Sequence, residues 1–134
     1  MRTLKTLGTA ALWTVQVLAA LAFIIIGVAK FGDPSWARSF ARWGYPPGFY
    51  MVIGAAEALG GVCLLVPRIA SYAAVLLGVI MIGASTTHLV HHEMARVTPP
   101  LMYLALVSIV GLGRWRLALP LRRMRRTAAA AQRV

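Results

Sequence analysis

Thr6–Ala29, TLGTAALWTVQVLAALAFIIIGVA, runs for 24 residues without a charge. About 20 apolar residues carry a helix across the hydrocarbon core of a bilayer, so this stretch reads as a membrane span. Three more runs follow it. Gly48–Val66 is interrupted only by Glu57, Ile69–Val90 ends in a histidine cluster, and Pro99–Gly113 reaches Leu119 if Arg114 and Arg116 snorkel to the headgroups. Four such runs with short connections predict an all-α fold, a four-transmembrane-helix up-down bundle. The expected spans are about 6–29, 48–66, 69–90 and 99–119, in one membrane domain over residues 1–134 with a basic tail at 120–134.

Composition agrees with that reading. Of 134 residues, 60% are hydrophobic and 13% charged, against about 45–50% and about 25% in soluble domains. Intrinsic disorder needs low hydrophobicity and is excluded. The net charge of +11 does not advertise a nucleic-acid surface, because the basic residues flank apolar runs and form no groove-sized patch. The lone Cys63 excludes an intramolecular disulfide framework, a four-cysteine zinc site and a C-x-x-C redox pair.

Basic residues also set an expected orientation. Arg2, Lys5, Arg68, Arg114, Arg116, Arg122, Arg123, Arg125, Arg126 and Arg133 fall on one side, ten against Lys30, Arg38, Arg42 and Arg96 on the other. Both termini are therefore expected in the cytoplasm, with a multi-pass chain in a bacterial-type inner membrane. Ala20-Leu21-Ala22 has the form of a signal-peptide cleavage site, but the apolar run continues well past a usual h-region, so the first span is read as an anchor. The Arg122–Arg126 cluster reads as a topology anchor meeting anionic lipid, and Thr127–Val134 as a frayed end.

Between the first two spans, Asp33-Pro34 reads as N-cap and first helical residue. Trp36, Phe40 and Trp43 then share one face, opposite Ser35, Arg38, Ser39 and Arg42, and Gly44 can cap the C-terminus before Pro46-Pro47. The pattern predicts a short amphipathic interfacial helix. Its aromatic residues are expected at the lipid interface, with a lid over an outward-opening cavity as the other use.

Glu57 is the first residue that points to chemistry. It sits near the middle of the second span, where a carboxylate is costly and is by default a functional-site hypothesis. Ile53, Gly54, Gly60 and Gly61 surround it at helical spacing, so its face is largely glycine. That face lets a neighbouring helix approach closely or leaves a gap for a ligand. Glu57 itself either meets a ligand or proton, or stays buried in protonated form, or pairs with Lys30. Snorkelling is the simpler reading of Lys30, because a straight contact needs the spans offset by about a turn.

His88, His91 and His92 are all the histidines in the chain. His88 and His92 stand i, i+4, a spacing that can hold a metal. The other readings are solvated histidines at a helix end, and a hydrogen bond from His88 to Ser85 or Thr86. Three histidines are too few for a membrane di-iron enzyme, and a bis-histidine haem would need a second chain. Ser71, Ala74 and Gly78, with Gly83 and Ala84 beyond, read as a packing stripe.

Taken in order, these stretches resemble the DoxX-like family of small four-helix membrane proteins. The matching residues are Gly27-Val-Ala-Lys30-Phe31, Trp43-Gly-Tyr-Pro46, Gly54-Ala-Ala-Glu57-Ala-Leu-Gly60-Gly61, Leu64-Leu65-Val66-Pro67-Arg68, and Met81-Ile-Gly-Ala84 followed by His88. The resemblance implies a fold more than an activity. Some members resemble or serve as membrane subunits of sulfur-oxidising quinone reductases, and others are linked to oxidative-stress complexes. The expectation is a membrane protein of a redox or stress-related system that binds a small lipophilic ligand of the quinone class near Glu57. Gly54 and Gly61 would leave room for it, with Lys30, His88 and Ser85 towards the outer mouth. No cofactor motif is present, so the chain is expected to be at most a subunit of a quinone-linked oxidoreductase, partnered by the lipid bilayer, a homodimer mate or a redox protein. The alternative is a non-catalytic scaffold that recruits or stabilises a partner complex. A proton-coupled carrier ranks below both, since no inverted repeat is visible.

Overall fold

In a computed structural model, the backbone is described for residues 2–131 and side chains for residue 3 and residues 6–117. Helix α1 spans Arg2–Gly32, α2 Pro34–Arg42, α3 Phe49–Leu64, α4 Ala70–Val90 and α5 Thr98–Ala131, with a 3-10 turn at Met94–Arg96. Helices α1, α4 and the Met94–Leu117 stretch are long and apolar enough to cross a membrane; α3 is a shorter apolar helix. The arrangement is a helical membrane bundle in which α1 packs on α3, α3 on α4, α4 on α5, and α5 back on α1. The expected fraying from Thr127 is not seen as far as Ala131, where α5 ends; residues 132–134 lie outside the described residues. The basic side chains of the tail, and those of Arg2 and Lys5, lie outside the described residues.

The core is thin and built from small and medium side chains: Ala19, Ala20 and Phe23 of α1, Leu64 of α3, Ala73, Ala74, Leu77 and Met81 of α4, and Val107 and Val110 of α5. Ile25, Val28, Leu59, Val75 and Leu112 point outward and stay exposed. Apolar outer surfaces are what lipid tails require, since lipid provides no hydrophobic drive between helices. Close approach does that work instead. A Cβ on Gly27 would fall 2.5 Å from the Gly54 carbonyl oxygen, and one on Gly61 2.8 Å from that of Ala20. The small-residue stripe of α4 behaves similarly as far as Gly78: Ser71 donates to the Gly111 carbonyl at 3.4 Å, and Ala74 lies beside Gly111, whereas a Cβ on Gly83 would meet nothing within 4 Å.

Helix α2 forms as its sequence predicts. The Asp33 carboxylate accepts from the Ser35 amide at 2.8 Å, and Pro34 occupies the first turn. At the other end Gly44 takes φ +80°, so that Tyr45 N donates to Phe40 O and Gly44 N to Ala41 O, both at 3.0 Å. This is a Schellman stop. It swings the chain back so that the aromatic face of α2 turns onto the bundle.

Candidate functional site

The Lys30 ammonium donates to Glu57 Oε2 at 2.5 Å. Lys30 is 4% exposed and Glu57 2%, so Lys30 does not snorkel. The apparent offset between the two residues is closed by side-chain direction. Cα–Cβ bonds tilt towards a helix's own N-terminus, and α1 and α3 run antiparallel. Lys30 therefore leans into the bundle while Glu57 leans out to meet it. The register comes from the glycines, since the Gly54 site faces the Lys30 Cβ at 3.0 Å and the Gly27 carbonyl at 2.8 Å. Of the two consequences read from the glycine face, Gly54 and Gly61 show close packing: both abut α1 and leave no gap there.

Above the pair sits α2. The Trp36 ring lies 4.2 Å from Lys30 Nζ, a cation–π contact. Phe40 is buried and gathers Trp36, Trp43, Tyr45, Phe49 and Tyr50 around it, with ring centroids 5.3–6.5 Å apart. The expectation of lipid-interface aromatics is thus corrected for Phe40 alone. Phe40 is inside the protein and Trp36 and Trp43 are half-buried against it, because the Schellman turn directs their face inward. Helix α2 thus lies over the Lys30 ammonium as a lid does, through Trp36.

His88 meets the edge of Trp43 at 5.2 Å between centroids. Its Nδ1 is 2.8 Å from Glu93 Oε2, while Arg42 of α2 donates to the other carboxylate oxygen at 2.9 Å. Glu93 thus clasps α2 to the end of α4. The His88 hydrogen bond is the largest cause holding its carboxyl below the ordinary carboxylate range, with Arg42 and Arg96 adding coulombic attraction. Asp33 is likewise lowered, first by the Ser35 amide. The expected bonds from His88 to Ser85 or Thr86 are not made. Those hydroxyls donate to Met81 O and Ile82 O of their own helix. Nor do His88 and His92 present a metal pair. Helix α4 stops at Val90 and His92 turns to φ +57°, which destroys the i, i+4 face; no metal-ligating group of three is found among the described residues.

Sequence reasoning missed a second polar site, where the end of α3 meets the middle of α1. Gln16, fully buried, donates through its amide to the Leu64 carbonyl and accepts from Arg114 Nε at 2.6 Å. Arg114 lies over Trp13 at 4.4 Å and is 8% exposed, so its side chain folds back onto α1 and does not extend outward as expected for snorkelling; Arg116 does remain exposed. A neutral glutamine leaves no mark in a charge count, although a polar residue inside so apolar a run was the available signal. Finally, an apolar groove of about 240 Å³ runs between α3 and α4, lined by Leu59, Gly60, Cys63, Tyr72 and Leu76.

A bundle of apolar helices holding a buried Lys–Glu pair beneath an aromatic lid defines an integral membrane protein. The DoxX-like family model matches residues 14–110, and the chain belongs to that family. No curated protein and no solved structure matches it.

Proposed function

We propose that this chain holds the polar end of a small lipophilic molecule of the quinone class at the Lys30–Glu57 pair, as the membrane component of a redox or stress-related system. The carrying observation is the pair itself: two ionisable groups inside a membrane bundle, under Trp36. Lys30 offers hydrogens to a carbonyl and Glu57 accepts from a hydroxyl, so the pair suits both the oxidised and the reduced form of such a ring. Trp43 Nε1, a buried donor with no acceptor among the described residues, supports a further carbonyl contact. The groove between α3 and α4 begins at Leu59 and Gly60, within a turn of Glu57, and is apolar enough for a tail. In this proposal the protein lies in a bacterial-type inner membrane with both termini in the cytoplasm, as the ten-to-four distribution of basic residues favours. The test is to purify wild type and Glu57→Gln in mild detergent and identify co-extracted small molecules by mass spectrometry. Wild type is expected to carry a quinone-class molecule that the variant loses; quinone-free extracts from both overturn the reading.

A second reading, a non-catalytic scaffold, is favoured by the backbone-close packing of Gly27 on Gly54. There the ion pair only fixes α1 on α3, and α2 with the basic tail meets a partner or a second copy. It predicts that Glu57→Leu still captures the partner complex in a pull-down.

A further inference from the structure

Arg114 is a buried cation that no acidic side chain among the described residues balances. The sequence holds three acidic side chains, and each is committed elsewhere: Asp33 caps α2, Glu57 binds Lys30, and Glu93 binds His88 and Arg42. Arg114 Nε is satisfied by Gln16, yet Nη2 is buried and has no hydrogen-bond partner among the described residues. Gln16 gives only a dipole and Trp13 only a ring face. The link from Gln16 to Leu64 couples the cation to the carbonyl end of α3, whose partial negative charge is about half an elementary charge. That offsets part of the charge and leaves the donor free. A guanidinium pairs naturally with planar or tetrahedral oxyanions through two N–H groups at once.

Position narrows the source of such an anion. Arg114 lies 16 residues along α5 from Thr98, roughly 24 Å at 1.5 Å per residue, which is near the full depth of a hydrocarbon core of about 30 Å. Arg116 is exposed beside it, and Leu112, Trp115 and Leu117 present apolar surface next to it. A phosphate at that depth with acyl chains along that surface describes an anionic phospholipid.

We propose that Arg114, with Gln16 and Trp13, forms a phosphate-oxyanion site that takes the headgroup of an anionic phospholipid at the basic end of the bundle. The site stands apart from the Lys30–Glu57 pair and does not depend on the function proposed for it. To test it, thermal unfolding of the purified protein in neutral detergent is followed with phosphatidylglycerol, phosphatidylcholine or inorganic phosphate. Wild type is expected to show a saturable rise in midpoint with phosphatidylglycerol and not with phosphatidylcholine. Arg114→Gln should weaken the apparent affinity by about tenfold or more, the usual scale for a charge-assisted hydrogen bond, and Arg116→Gln should leave it intact. A saturable response to inorganic phosphate that is equally lost in Arg114→Gln assigns the same site to a free anion. If Arg114→Gln does not fold, Gln16→Glu supplies the missing carboxylate internally and should abolish the response. The proposal is overturned if phosphatidylcholine acts as well as phosphatidylglycerol, if Arg116→Gln loses the response as fully as Arg114→Gln, or if either Arg114→Gln or Gln16→Glu responds like wild type.

Discussion

The two ends of the bundle each bury a cation, and they compensate it differently. At the lid end Lys30 meets a full opposite charge in Glu57, both groups are buried, and Trp36 of α2 covers the Lys30 ammonium. At the basic end Arg114 meets a neutral amide, a ring and, through Gln16, the carbonyl end of α3. A matched ion pair is self-contained, so removing one half strands the other in a poorly solvating interior. A cation held by dipoles loses less when a single partner goes, and it keeps unused capacity for an external anion.

The largest effect is therefore expected at the lid end. Glu57→Leu leaves Lys30 buried without a counter-charge and should cost about 3–5 kcal/mol, whereas Glu57→Leu combined with Lys30→Met should recover most of it. Arg114→Leu should cost less, about 1–3 kcal/mol. Denaturant titration in detergent measures all three; equal losses for Glu57→Leu and Arg114→Leu would break the contrast.

Packing gives a second, smaller test. At Gly27 an added Cβ meets the backbone of Gly54 and Ala58, which can yield only by moving α3. Gly27→Ala should cost about 1–3 kcal/mol. At Gly113 the nearest atoms belong to the flexible end of Leu12, at 2.7 Å. Gly113→Ala should be close to neutral, since alanine's better helix propensity, about 1 kcal/mol, offsets the shift of Leu12. Thermal midpoints of the two variants check the order.

The smallest effect belongs to the Glu93 clasp. Its carboxyl is held below the ordinary range in the folded protein, chiefly by His88. The clasp's contribution is thus complete above the unfolded-state carboxylate pKa and is lost as pH falls through the depressed folded value. The difference in melting temperature between wild type and Glu93→Gln should shrink over that acidic window. A constant difference from neutral to acid pH would remove Glu93 from the account of how α2 is held.

Much of this architecture was legible residue by residue. The uncharged run from Thr6 to Ala29 implied a spanning helix, Asp33-Pro34 and Gly44 bounded α2, and the position of Glu57 marked it as buried. The pairing of Glu57 with Lys30 was not legible, because it depends on which turn of α1 lies beside which turn of α3. Backbone contacts at Gly27, Gly54 and Gly61 fix that register, and no single-helix pattern states it. The inward turn of the α2 aromatics escaped for a related reason: an amphipathic face is apolar alike for lipid and for a neighbouring helix. The fold-back of Arg114 was not legible either, because long side chains at a span's end usually extend outward, and Gln16, neutral, gave no hint that it would hold the guanidinium against α1.

By itself, then, the sequence determined that the chain enters a membrane as helices, where those helices begin and end to within a few residues (the end of α5, at Ala131 and not 119, excepted), and which carboxylate would be inside. Hydropathy and capping are properties of local sequence, so they can be read locally. Tertiary structure alone decided which polar groups meet: Lys30 with Glu57, Glu93 with His88 and Arg42, Gln16 with Arg114. Such partners lie 27 to 98 residues apart, Glu93 and His88 excepted, and meet only once small residues let the helices approach and lock their register.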